Sequence, residues 1–534
     1  MESTTSNRSL AGALAAALII VVAIGLVFWP VFKCDFTTWD DPETVASNPQ
    51  LKPPSASGVI RYWKRPAMGL YIPVTYTVWS VIAFVSGPSD LPGEATQLDP
   101  MLFHGANLLL HVLSAIVVWL ILRRLFENDV AACAGALLFA LHPVQVEPVA
   151  WVSGLKDVLS GLLVLIAIWQ YIGFVDSPRD SAQRKIRYLI VLGAAGLAML
   201  SKPSAMVLPA LLFILDWLIL KRPWREIARG VIPVLLICLP CTIGASIIQH
   251  PSRNLALWKR PIVVLDSLSF YTLKLLWPTK LAPDYGRRPI DIFQNNLIWW
   301  CGLIPTVLAV ALWAVRRRSP RIVAGVILFL VAVLPTLGFV ETLFQDKSTV
   351  ADHYLYVAMF GLALAFAAWM VRLRVQIACA IAIPILLVLG ILSFRQTSYW
   401  QNSETLFTHT IQVSPRSWSA HMGLAAAMIE QKKIGEAEEQ VQAAIAIYPA
   451  SGNYLSLGKL LLADNRPAEA ADVLNKAVSL EPGIEGGRFS LANAYLNSGR
   501  SSEAQQQLEM ILKDHPEDEK AKELLVLARS GQRL

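Results

Sequence analysis

Leu10-AGALAAALIIVVAIGLVFWPV-Phe32 is a run of 23 residues without a single charged side chain. As an α-helix, about 20 such residues cross the roughly 30 Å hydrocarbon layer of a bilayer. The run is too long for the apolar core of a cleaved signal peptide, no small-residue cleavage site follows it, and comparable runs recur downstream. It therefore reads as a signal anchor and first membrane span.

Ten further apolar runs follow at approximately 102–122, 130–147, 155–175, 187–201, 203–220, 229–248, 297–315, 322–340, 354–371 and 376–394, which makes about 11 spans. Composition agrees. Of 534 residues, 55% are hydrophobic and 16% charged, against about 25% charged in an ordinary soluble domain. Lys and Arg in short loops set orientation. One set of loops holds sixteen of them, from Arg123 and Arg124 through Lys221, Arg222, Arg316, Arg317 and Arg318 to Arg372 and Arg374, while the opposite turns hold only Lys156, Lys202 and Lys347. The N-terminus is then cytoplasmic, and an odd number of spans carries the C-terminus to the other face, the periplasm of a bacterium. The net charge of +7 follows from this topology and implies no nucleic-acid partner. The stretch from Pro261 to Pro278 reads as re-entrant or interfacial, since counting it as a span would expose Arg316–Arg318 outside. Two long loops share the outer face, about 33–100 and 249–296, the first with an apolar stretch, Tyr71 to Val85, short enough to lie in the interface. The six cysteines form no disulfide framework, and Cys238-Leu-Pro-Cys241 in its apolar run reads as lipid-facing packing.

Beyond residue 395 the pattern changes. Pro415, Pro449, Pro482 and Pro516 recur at intervals of 34, 33 and 34 residues, the tetratricopeptide period. Leu424, Leu457 and Leu491 precede the small residues Ala425, Gly458 and Ala492, and the second helix of each unit supplies Ala437, Ala470 and Ala504. Small residues fall where two antiparallel helices approach closely. The expected fold is all-α: a polytopic membrane helical bundle over 1–395, followed by a tetratricopeptide-repeat α-solenoid over 396–534. The solenoid comprises a partial repeat at about 400–415, full repeats at 416–449, 450–482 and 483–516, and a capping helix at 518–529. Three repeats suffice for a continuous stacked core, and the concave surface suits a polypeptide.

Chemistry-bearing residues gather on the outer side. Asp35, Asp40, Asp41 and Glu43 crowd nine residues just past the first span, where a carboxylate could act as general base toward an acceptor hydroxyl. His142, Glu147, Lys156, Asp157, Lys202, His353 and Tyr354 flank other outer turns. Membrane-embedded charge is costly and commonly functional. Lys156, Lys202, His353, Arg287 and Arg288 are the candidate cations for a lipid-phosphate leaving group. His104 and His111 share a helix face without a third ligand and read as interhelical hydrogen bonders.

Trp39-Asp-Asp, Phe103-His-Gly-Ala-Asn-Leu-Leu-Leu-His111, Leu141-HPVQVEPVAWVSGLK-Asp157, Ser201-Lys202 and His353-Tyr-Leu-Tyr356 resemble the transmembrane and tetratricopeptide repeat O-mannosyltransferases and their bacterial relatives. These are multi-span glycosyltransferases of the GT-C class that use polyprenyl-phosphate sugars. The resemblance implies such a donor with a mannose-like sugar, inverting displacement at the anomeric carbon, a first-loop aspartate as base (Asp40, with Asp41 positioning the acceptor or sharing the proton), a polypeptide acceptor and no cofactor; it does not imply metal dependence, since Lys and Arg can hold a monophosphate donor without a divalent ion. Where the family tends to carry Arg before Tyr-Leu-Tyr, this chain has His353. Transfer to a glycan or lipid acceptor, and a non-enzymatic membrane scaffold for envelope or polysaccharide assembly, are the competing readings.

Overall fold

A computed structural model of the chain describes residues 2–87, 98–248, 255–294, 301–339 and 343–531. Parts of both long outer loops (88–97, 249–254 and 295–296) and margins of the spans at 297–315 and 322–340 lie outside the described residues. The chain divides into two compact units, Met1–Leu406 and Phe407–Leu534.

The first unit is built from helices α1 (Glu2–Phe28), α2 (Ala56–Lys64), α3 (Pro73–Ser86), α4 (Pro100–Phe126), α5 (Asp129–Leu141), α6 (Val146–Ala150), α7 (Leu155–Asp176), α8 (Ala182–Ser201), α9 (Leu208–Ile214), α10 (Trp224–Ile248), α11 (Arg260–Leu276), α12 (Pro289–Gln294), α13 (Leu303–Val315), α14 (Pro320–Val333), α15 (Met359–Met370) and α16 (Val375–Ser398). Each of the eleven apolar runs is mainly helical where described, with turns at 301–302, 337–339 and 356–358 and a break at His142. Among the described residues six helical segments are long and apolar enough to cross a bilayer unaided, and a seventh if α5 and the following turn-helix, bent by 55°, count as one. Their outer faces carry bare apolar side chains such as Leu18, Leu236 and Leu387, as helices solvated by lipid require. Within α10, Cys238 is buried against the bundle rather than turned to lipid, Cys241 is half-buried, and both thiols are free.

Small residues set the closest approaches. A Cβ on Gly325 would lie 2.5 Å from the Gly361 carbonyl oxygen, so α14 and α15 touch backbone to backbone. A Cβ on Gly161 of α7 would meet the Tyr356 ring at 2.5 Å, which draws the Asp352–Leu355 turn onto α7. The first outer loop is folded onto the bundle. Tyr62 of α2 stacks on Tyr76 of α3 at 4.0 Å, and both join Trp79, Leu51, Phe103 and Val152 in one buried cluster.

The reading of 130–147 as an uninterrupted span is corrected. The helix stops at Leu141, His142 is extended, Pro143 opens a 3-10 turn, and after α6 a second 3-10 turn (Val152–Gly154) leads into α7. Pro143 and Pro148 cannot donate to a helical ladder, and the freed backbone finds other partners, with Asn107 Nδ2 donating to the Trp151 carbonyl at 2.7 Å and Ser393 Oγ to that of Leu141 at 2.8 Å. Irregular backbone at such depth is tolerable when buried in protein.

The boundary between the units falls within α17 (Ser403–Val413). The second unit continues through α18 (Trp418–Glu430), α19 (Ile434–Ile447), α20 (Ser451–Ala463), α21 (Pro467–Leu480), α22 (Gly487–Asn497), α23 (Ser501–Asp514) and α24 (Glu519–Ser530). Ala437, Ala470 and Ala504 are fully buried in its stacked core, and a side chain at Gly458 would collide with Leu474. It is the tetratricopeptide solenoid that the 34-residue period requires.

Candidate active site

Asp40 and Asp41 are neighbours in sequence with opposite surroundings. Asp41 is fully buried and accepts four hydrogen bonds, from Thr37 N (2.9 Å) and Oγ1 (3.0 Å) and from Ser153 N (3.0 Å) and Oγ (2.6 Å). Both of its oxygens are occupied by donors, so it latches the first loop onto the turn that precedes α7. Burial pushes its carboxyl up to about 6 against the pull of those donors. Pro42 then opens a single π-helical turn, Pro42–Ala46. Thr44 returns to the Asp40 carbonyl through Oγ1 at 2.8 Å and contacts Ser153 Oγ at 2.6 Å. The Asp40 side chain is thereby turned outward, 36% exposed, with Lys156 Nζ 3.9 Å from its Oδ2.

Lys156, at the start of α7, lies 4.4 Å from the centre of the Trp151 ring, a cation–π contact. One turn across, Lys202 makes a direct ion pair with Asp157 and its ammonium lies 5.7 Å from the Tyr354 ring. The second Asp157 oxygen is buried and without a partner. Asp157, Ser160, Lys202, Thr336, His353 and Tyr354 line one small cavity. Glu147 clamps the far wall, accepting from the His353 backbone N–H at 2.9 Å and facing His353 Nδ1 at 2.8 Å. Burial and the Lys202 ammonium push His353 down to about 3, so it offers a neutral imidazole where the sequence suggested a cation.

The other candidates are placed elsewhere. His142 contacts the Leu275 carbonyl through Nε2 at 3.2 Å and caps the Pro143 turn through Nδ1. Arg287 pairs with Asp266 at 2.6 Å and Arg288 with Asp291 at 2.9 Å; these guanidiniums are tied to carboxylates of α11 and α12. His111 sits between the Ala140 carbonyl and the Tyr356 hydroxyl, both at 3.1 Å, and His104 Nε2 is 3.4 Å from the Asp35 carbonyl. Among the described residues no three His, Cys, Asp or Glu side chains are grouped to hold a metal ion. Three participants escaped sequence reasoning. Thr37 and Ser153 are the donors that distinguish the two acids, and Lys347, whose only signal was its outer-turn position, lies 4.4 Å from the Trp39 ring beside Asp40.

The last residues of the first unit return to this region, where Gln401 accepts from Asp35 N at 2.9 Å and Ser403 Oγ from Thr38 N at 2.9 Å. The chain is thus a multi-helix membrane protein with charged side chains converging at one end, joined to a tetratricopeptide solenoid. Residues 104–247 match the family described as dolichyl-phosphate-mannose-protein mannosyltransferase, and residues 461–527 match a tetratricopeptide repeat family. The chain is 24% identical to the human protein O-mannosyl-transferase TMTC1, over 79% of its own length and 54% of that protein. It is 23% identical to the Caenorhabditis elegans protein O-mannosyl-transferase F38B6.6, over 81% and 63%. A shorter match, 26% identical over 40% of this chain and 37% of the relative, joins it to the undecaprenyl phosphate-alpha-4-amino-4-deoxy-L-arabinose arabinosyl transferase of Pseudomonas aeruginosa. In each case the chain covers less than two thirds of the relative. Among solved structures it is similar to ArnT from Cupriavidus metallidurans bound to undecaprenyl phosphate, with a TM-score of 0.36 and 16% identity over 88% of this chain and 80% of that one. The chain resembles the transmembrane and tetratricopeptide repeat O-mannosyltransferases.

Proposed function

We propose that this protein is a membrane glycosyltransferase that moves a mannose-like sugar from a polyprenyl-phosphate donor to a hydroxyl of a polypeptide. The reaction takes place at the periplasmic face of a bacterial inner membrane, with the N-terminus cytoplasmic. The observation that carries the reading is the contrast between a saturated, buried Asp41 and an outward Asp40 facing Lys156 at 3.9 Å. The names of its relatives and its match to a mannosyltransferase family support the same chemistry.

Asp40 is the general base. It takes the proton of the acceptor hydroxyl as that oxygen attacks the anomeric carbon from the face opposite the phosphate, the sugar–phosphate C–O bond breaks, and configuration inverts. Charge accumulates on the departing polyprenyl phosphate, where Lys156 and Lys202 are the mobile-charge partners held in a water-poor wall. Asp157 and the Glu147–His353 clamp position Lys202 and Tyr354 rather than touching the reacting atoms. Lys156 serves both sides: its ammonium faces the Asp40 carboxyl group and turns toward the phosphate as the proton reaches Asp40. The solenoid presents the acceptor polypeptide.

The test is transfer itself. Purified full-length protein is incubated with radiolabelled polyprenyl-phosphate mannose and peptides rich in Ser and Thr, and the product's anomeric configuration is read by NMR. Labelled peptide of inverted configuration is expected. Labelled glycan or lipid with unlabelled peptide would redirect the acceptor, and no turnover with mannose, glucose or aminoarabinose donors would remove the enzymatic reading.

A further inference from the structure

The opposite end of the bundle holds a second charged region that the transfer chemistry does not use. Four arginines there are neutralised in place: Arg123 by Asp129 at 2.6 Å, Arg124 by Asp176 at 2.7 Å, Arg179 by Glu226 at 2.8 Å and Arg222 by Asp216 at 3.0 Å. Of the remaining cations at that end, three come together at one place. Lys221, Arg321 and Arg372 have no carboxylate partner among the described residues, and all three line one cavity whose remaining walls are Phe126, Pro320, Ile322, Ala368 and Val371.

Local structure places these three residues on the cavity. Lys221 sits in the left-handed conformation (φ 54°) that closes the Leu215–Leu220 turn. The Arg321 guanidinium lies 5.5 Å from the Phe126 ring. Arg372 donates to Ser319 Oγ and to the Arg318 carbonyl, both at 2.5 Å, which orients it without cancelling its charge. Three uncompensated cations rimming an apolar-walled cavity, at the ends of helices whose sides face lipid, complement a ligand with a phosphate head and an apolar tail.

We propose that this cavity binds the headgroup of an anionic phospholipid of the surrounding leaflet, the phosphate between Lys221, Arg321 and Arg372 and a chain against Ile322, Ala368 and Val371. The site is separate from Asp40 and does not depend on the transfer reaction.

The test follows thermal unfolding of the full-length protein in a neutral detergent while short-chain phosphatidylglycerol, phosphatidylcholine or inorganic phosphate is titrated in. Phosphatidylglycerol should raise the midpoint saturably, and the other two should leave it in place at equal concentration. Each charge removed should weaken the apparent affinity about fivefold, and the triple variant Lys221→Gln, Arg321→Gln, Arg372→Gln about a hundredfold. Arg321→Lys with Arg372→Lys should retain most of the response, and Arg179→Gln, an arginine with its own carboxylate at the same end, all of it. If the triple variant does not fold, the exposed Arg321→Gln alone carries the comparison. An unchanged response in these variants, an equal response to phosphatidylcholine, or an equal response to inorganic phosphate would overturn the lipid assignment.

Discussion

The two ends of the membrane unit treat charge differently. At one end Arg123, Arg124 and Arg179 reach across loops to carboxylates that remain partly in water, with 32–81% of each guanidinium side chain exposed, beside the buried pair of Arg222 and Asp216 at 10% and 0%. At the other, Lys202 and Asp157 are 14% and 5% exposed, Glu147 and His353 3% and 7%, and Asp41 is fully buried. The 22 residues of α7, about 30 Å long as a helix, join Asp157 at one end to Asp176 at the other. Exposed pairs of the first kind contribute about 0–1 kcal/mol each and are explained by topology. Buried groups of the second kind cost several kcal/mol to desolvate, and their retention is what function explains.

That contrast can be broken by mutation. The largest stability effect is expected from Lys202→Met, which leaves Asp157 charged and alone in a buried wall. A loss of about 3–5 kcal/mol should appear in the unfolding midpoint, with much of it restored by adding Asp157→Leu. Asp41→Asn comes next, since a carboxamide points a donor at two of the four donors that hold Asp41, for about 1–3 kcal/mol. Its pH dependence has a definite sign. The folded carboxyl is raised from 3.8 to about 6, so the folded state favours the proton; stability present below pH about 4 is lost as pH rises through about 6, then levels. Asp41→Asn should lack that component. The smallest effect belongs to Arg179→Gln, where 81% exposure predicts a change within about 0.5 kcal/mol. A cost there as large as that of Lys202→Met would erase the distinction between the ends.

Much of this was legible in the sequence because its signals are periodic. Leu10–Phe32 declares a span by length alone, and Pro415, Pro449, Pro482 and Pro516 declare the solenoid by interval. What stayed illegible depends on partners distant in sequence. Asp40 and Asp41 are indistinguishable until Ser153, 112 residues on, donates twice to one of them. The break after Leu141 hid inside an apolar run, since hydropathy does not register Pro143, which opens the turn there. Lys347 gave only its place in an outer turn, and the fold sets it over Trp39. Arg287 and Arg288 were plausible phosphate ligands by charge and location, but Asp266 and Asp291, which occupy them, lie 21 and three residues away.

Which acid does the chemistry is tested most directly by the rate of sugar transfer by Asp40→Asn, measured beside wild type with donor binding followed separately. Loss of the base should lower kcat by about 10²–10⁴-fold with donor affinity little changed. Wild-type turnover by Asp40→Asn would contradict the assignment.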